Sequence, residues 1–174
     1  RVSSRRGRCI LTMHRPIYFD YNATTPLDSE VLEGMLPFLQ NHFGNPSSTY
    51  SVGYYTKEAI ELARQNIAGL IGAENGHIFF TSGGSEANST ILKGIAAKSP
   101  KKHIITSAIE HPAILKTCHY LEKHQGFEIT IIPANSAGIV DVDDVERAIT
   151  SKTALVTVMM VNNEIGSIQP IKEI

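Results

Sequence analysis

Cysteine is scarce in this 174-residue chain. The two present, Cys9 and Cys118, offer neither a disulfide framework nor a metal-ligand spacing, which points to a reducing compartment. Excess charge is missing as well. Sixteen Lys and Arg stand against seventeen Asp and Glu, for a formal net charge of −1. No basic stripe with interleaved aromatics appears, so nucleic acid is not an expected partner. No apolar run approaches the length of a bilayer span, so no membrane segment is expected. The seven histidines are scattered, without H-E-x-x-H or paired Cys/His spacing, and no metal is expected. Internal repeats and low-complexity tracts are also lacking. What remains is the composition of a soluble globular protein, 42% apolar and 19% charged, long enough for one domain with a core.

Both ends of the chain are unusual. The opening RVSSRRGRCILTMHRP is rich in Arg and Ser and holds no acid, as a mitochondrial presequence can. The simpler reading takes Met13 as the start, residues 1–12 as upstream sequence and the protein as cytoplasmic. The first strand-like run, Ile17–Phe19, comes directly afterwards. At the other end, ALVTVMMV (154–161) reads as a strand buried on both faces. Pro170 then opens what resembles a helix, and four residues later the sequence stops. A helix cut in its first turn cannot bury its apolar face, so the expectation is a fragment, with residues 1–16 as a leader. Sheet edge and apolar surface left uncovered by such a cut imply poor solubility in isolation.

Between the ends, strands and helices alternate. The spacing of Ile60, Ala63, Ile67 and Leu70 predicts a helix over 56–71, with Gly72 as its cap. Further helices are predicted over 85–97, 112–124 and 142–149, and strands over 77–81, 102–107, 127–132 and 153–161. Residues 28–50 are less regular: Pro37 interrupts a helical pattern, and FGNPSS (43–48) is a loop. The pattern predicts an α/β fold, a mainly parallel sheet with flanking helices.

Ligands of such a sheet bind beyond the carboxyl ends of its strands. Three polar clusters fall there: Thr81–Ser85, Ser107–His111 and Asn162–Glu164. Gly83-Gly84 allows a sharp turn, and the helix behind it aims unpaired N–H groups and partial positive charge into that turn. With the Ser85 hydroxyl this makes a phosphate seat; the plainer reading is that Ser85 caps a helix. Neither the Walker A loop nor G-x-G-x-x-G is present. His111, before Pro112, reads alone as a surface or capping histidine; on the ligand edge it would stack on an aromatic cofactor and pass protons near neutrality. Asn163 offers an amide to a ring substituent or carboxylate, or is simply a turn residue. Cys118 lies on an apolar helical stripe and reads as core.

YFDYNATTP (18–26), FGNPSS (43–48), TSGGSEAN (81–88), EHPAIL (110–115) and VNNEIG (161–166) resemble, in order and spacing, the cysteine desulfurase family. These are pyridoxal-phosphate enzymes of the class V aminotransferase group, with selenocysteine lyases as close relatives. The resemblance runs over residues 17–174, and DYNATTP with TSGGSE looks like the branch holding the iron–sulfur and nitrogen-fixation desulfurases. It implies the incomplete large domain of a fold-type I, aspartate aminotransferase-like transferase. Pyridoxal 5'-phosphate is the implied cofactor, L-cysteine the substrate, and a sulfur-acceptor protein such as an iron–sulfur scaffold the partner; the full-length form would be a homodimer.

By the same analogy Gly84 and Ser85 hold the phosphate, and His111 stacks on the ring. Asn163 lies beside the ring oxygen and the substrate carboxylate, and Ala23, Thr24 and Thr25 line the substrate side. In the implied reaction an enzyme thiolate takes the substrate sulfur, alanine leaves and a persulfide remains. The family's cofactor-anchoring lysine, the Asp under the pyridine nitrogen, a glutamine and the loop cysteine are expected beyond residue 174, so this chain alone is expected to be inactive. Lys93 reads as a surface residue, not the anchor. Ala87 and Ser89 stand where relatives often carry Ser and Asn, and Tyr50 where a His is common. Rival readings are a selenocysteine lyase, another class V aminotransferase, or a truncated non-catalytic binding or scaffold protein. A mobile-loop cysteine downstream would favour the desulfurase.

Overall fold

The computed structural model describes residues 17–174; the leader, Cys9 and both readings of the start lie outside the described residues. Eight helices and strands run in chain order: α1 (Ser29–Gln40), α2 (Ser51–Ile71), α3 (Gly84–Lys98), β1 (His103–Ser107), α4 (Pro112–Gln125), β2 (Glu128–Ile132), α5 (Val142–Ala148) and β3 (Thr153–Thr157). The strands form one parallel sheet in the order β2-β1-β3. β1 is central and every residue in it is buried.

Alternation along β1 sends Ile104 and Ile105 to opposite faces, and each seeds a core. Ile104 joins Leu92 and Ala96 of α3 with Ile114, Cys118 and Leu121 of α4, closed by Phe127. Ile105 joins Ile132, Val140 and Val145 of α5. The sheet is thus covered on both faces, as a parallel sheet requires. Each Leu or Ile fully buried here contributes about 1.5–3 kcal/mol.

The helix ends carry their own signals. Asp28 caps α1 by accepting the Glu30 N–H at 2.8 Å, and Asp141 caps α5 through the Asp143 N–H at 2.9 Å. Gly72 and Gly126 close α2 and α4 at φ 67°, the left-handed conformation that favours glycine.

Connectivity fixes direction. α3 ends four residues short of β1, and α4 leaves from the far end of β1. Both helices therefore run against the strands, with their N-termini on the carboxyl edge of the sheet.

Several expectations are corrected. Residues 28–50 hold a helix, α1, with Pro37 inside it. Pro37 sits near the C-terminal end, and its carbonyl accepts from the N–H groups of Asn41 and His42, so the turn still closes. α2 begins at Ser51, earlier than the apolar spacing indicated; its first turn holds Gly53, a weak helix former that the spacing does not register. No strand forms at 77–81: a 3-10 turn covers Asn75–His77, and residues 78–81 pair with no strand among the described residues. Phe79 is accordingly 81% exposed. β3 stops at Thr157 and is half-buried, not buried on both faces; among the described residues it is an edge strand with only β1 beside it. Residues after Pro170 form turns rather than a helix. Ile17–Phe19 is not a strand. Among the described residues no helix is long and apolar enough to cross a membrane.

Candidate active site

One cavity of about 850 Å3 opens on the carboxyl edge of the sheet. It is lined by Tyr18, Phe19, Asp20, Asn22 and Ala23, by His111 and Pro112, and by Asn163 and Glu164. Three segments far apart in sequence thus meet at one hollow, of the size that small-molecule sites have.

Each segment arrives for a local reason. The first is a turn in which the Asp20 carbonyl accepts the N–H of Ala23 at 3.1 Å and of Thr24 at 3.4 Å. Thr24 does not line the cavity; its hydroxyl meets the Tyr18 phenol at 2.7 Å. His111 is the N-cap of α4, and its Nδ1 accepts the Ala113 N–H at 3.0 Å. Capping and cavity lining are therefore combined in one residue. With the Nδ1 lone pair engaged, the single proton of the neutral imidazole sits on Nε2. Asn163 stands exposed on a turn that its neighbour builds: Asn162 Oδ1 accepts the N–H groups of Glu164 at 2.9 Å and Ile165 at 3.0 Å.

Two further residues tie the second and third of these segments together, and the sequence reading gave neither of them a role of its own. Glu110 is 8% exposed. Its Oε1 accepts the Ser107 hydroxyl at 3.1 Å and the Met159 N–H at 2.5 Å, joining the loop after β1 to the loop after β3. Burial pushes its carboxyl up, against the two hydrogen bonds and the nearby His111, which pull it down. Asn162 Nδ2 donates to the Ile109 carbonyl at 3.0 Å across the same joint. An acid wedged between an apolar residue and His111, and the first of two adjacent asparagines, were the available signals.

The Thr81–Ser85 corner does not line this cavity, although α3 begins on the same edge. Gly83 is the N-cap of α3 and no side chain caps the helix, so Ser85 does not do the plain capping job. A Cβ placed at Gly83 or Gly84 would meet nothing within 4 Å, which leaves the approach to the helix end open. Glu86 reaches back and accepts from the Ser82 N–H and hydroxyl, both at 2.7 Å, which holds its carboxyl below the usual value. The donors left for an anion are those at the start of α3 itself.

Of the departures from the family pattern, Ser89 bonds the Thr117 hydroxyl at 3.2 Å and ties α3 to α4. Lys93 lies over the Tyr120 ring at 5.2 Å. Cys118 is buried, and its thiol is pushed up to about 11, chiefly by desolvation, so it stays protonated near neutrality.

The family described as Aminotransferase class-V matches residues 17–174. The chain is 54% identical over 164 residues to the cysteine desulfurase IscS of Clostridium botulinum (strain Kyoto / Type A2), covering 93% of this chain and 41% of that protein. It is 50% identical over 163 residues to the cysteine desulfurase of Homo sapiens, covering 92% and 35%. Among solved structures, a NifS-like protein aligns with TM-score 0.86 at 40% identity, over 90% of this chain and 43% of that one. SspA in complex with cysteine aligns with TM-score 0.85 at 42% identity, over 90% and 45%. The chain spans about two fifths of the length of the curated bacterial relatives it matches.

Proposed function

The chain belongs to the aminotransferase class-V family, and from that premise we propose that residues 17–174 are the leading part of the cofactor domain of a pyridoxal-phosphate-dependent cysteine desulfurase. The observation that carries this reading is the joint lining of one cavity by Ala23, His111 and Asn163. The Clostridium botulinum and Homo sapiens relatives, at 54% and 50% identity, are named cysteine desulfurases, and one structural neighbour was solved with cysteine, which supports the same substrate here.

The residues present suit the cofactor. The uncapped start of α3, with open space at Gly83 and Gly84, offers N–H donors to a phosphate, and Ser85 adds a hydroxyl. The start of α3 lies on the same edge of the sheet as the cavity, without lining it, and brings partial positive charge to that edge. His111 presents an imidazole whose proton is fixed at Nε2 by its capping bond. Asn163 holds a ring hydroxyl or the substrate carboxylate through its amide. When bound, pyridoxal phosphate supplies an electron sink that loosens bonds around the substrate's α-carbon. The buried, protonated Cys118 is not the thiol that receives sulfur. Iron–sulfur cluster assembly as the destination of the sulfur, and a homodimeric full-length form, belong to the same proposal.

The test is to supply the full-length protein, loaded with pyridoxal phosphate, with L-cysteine and a thiol reductant. Equal amounts of alanine and sulfide are expected. A keto acid in place of alanine would make it a transaminase, and turnover of selenocysteine but not cysteine would make it a lyase; either overturns the reading.

A further inference from the structure

Two loops bring His111 and Asn163 to the cavity, and each is mostly exposed at its tip. What sets their separation lies underneath. β1 ends at Ser107 and β3 at Thr157, and the backbone leaves the sheet ladder at both points. Beyond the ladder the loops are bridged by two side chains only a few residues from the cavity. Glu110 Oε1 holds Ser107 on its own loop and the Met159 N–H on the other. Asn162 reaches the opposite way, from the β3 loop to the Ile109 carbonyl. Glu110 immediately precedes His111, and Asn162 immediately precedes Asn163. Each bridging residue is thus the chain neighbour of a cavity residue, and the two bridges run in opposite directions between the same two loops.

We propose that Glu110 is a positioning residue, a buried clamp whose Oε1 joins the β1 and β3 exit loops and so sets His111 and Asn163 at the spacing a bound cofactor needs. This rests on the pyridoxal-phosphate reading for its consequence, though not for its geometry. The clamp uses one acceptor oxygen for two donors, an O–H and an N–H. A glutamine can do the same through its carbonyl oxygen, whereas an aspartate is a methylene too short to reach both. The charge is therefore dispensable and the reach is not.

The experiment uses the full-length protein and the variants E110Q, E110D and E110A. Two readouts are taken. Hydrogen–deuterium exchange tracks the segments 107–113 and 159–166, and visible circular dichroism of added pyridoxal phosphate gives its affinity and the asymmetry of its setting. E110D should speed exchange in both segments together and weaken cofactor binding by about tenfold, the scale of a lost hydrogen bond to a charged group. E110A should do the same or more, and E110Q should match the wild type in both readouts. Rescue by glutamine marks positioning, since a general loss of structure would not discriminate between E110Q and E110D. If E110D speeds exchange in one segment alone, or if E110Q is as impaired as E110D, the clamp is overturned. Should the wild type bind no pyridoxal phosphate, the functional reading falls, while exchange still decides whether Glu110 joins the loops.

Discussion

The stretch from β1 to β3 and the stretch from α1 to α2 are built from similar fractions of apolar residues and end up differently. In the first, Ile104, Ile105 and Leu121 are fully buried. In the second, α1 buries no residue, and α2 buries only Gly53, Thr56 and Ala68, while Leu70 is 85% and Leu39 67% exposed. An apolar face becomes core only where another element is brought against it. The sheet does that for α3, α4 and α5; no described element does it for most of α1 and α2.

The largest way to sharpen this contrast is Leu121→Ala. Leu121 is a fully buried member of the cluster between α3, α4 and β1, and truncation should cost about 2–5 kcal/mol, read as a shift of the urea midpoint at constant slope. A cost under about 1 kcal/mol would mean that this core closes over the gap. Next in size is Gly53→Ala. Here the helical half does have a tight joint: a Cβ at Gly53 would stand 2.6 Å from the Ser48 carbonyl oxygen and 2.7 Å from that of Asn45. Both obstacles are backbone, so the FGNPSS loop must shift, at about 1–3 kcal/mol by the same measurement.

How legible this was depended on distance along the chain. Helix ends, the strand positions of the sheet and the glycine caps come from local signals, and the residues beside His111 and Asn163 could be read as a ligand edge. The failures have physical causes. Phe79 and Phe80 have strand composition, yet a strand exists only by pairing, and sequence does not display its partner. ALVTVMMV reads as doubly buried, yet burial depends on what lies across the sheet, and β3 has one neighbour among the described residues. Glu110 and Asn162 fell inside the polar clusters of the ligand edge, yet their bridging role was not legible, because that work is done across loops some 50 residues apart in sequence.

A smaller effect with a definite sign comes from Glu110. Its folded carboxyl lies above the ordinary glutamate value of 4.5 because it is buried. The folded state therefore holds this proton more tightly than the unfolded chain does. The contribution is present below 4.5 and is lost as pH rises through the raised folded value. The groups facing it are the Ser107 hydroxyl, the Met159 N–H, His111 and Cys118. E110Q keeps the acceptor and removes the titration, so the thermal midpoint of the variant should gain less than that of the wild type as pH falls from neutrality toward 4.5. Parallel curves would show that the group feels no net burial.

The smallest effect is the most telling for the comparison. Leu70→Ala removes a side chain that touches little, at a helical position where alanine is the better helix former, so stability of the 174-residue chain should change by less than about 0.5 kcal/mol. The same substitution made in a protein of its relatives' full length asks a different question. There, a cost of about 2 kcal/mol or more would mean that the exposed stripe of α2 is covered by chain or subunit that these 174 residues do not supply. A null effect in both settings would mean that α2 carries its apolar residues on a free surface. In that case the difference between the two halves belongs to the fold itself and not to what surrounds it.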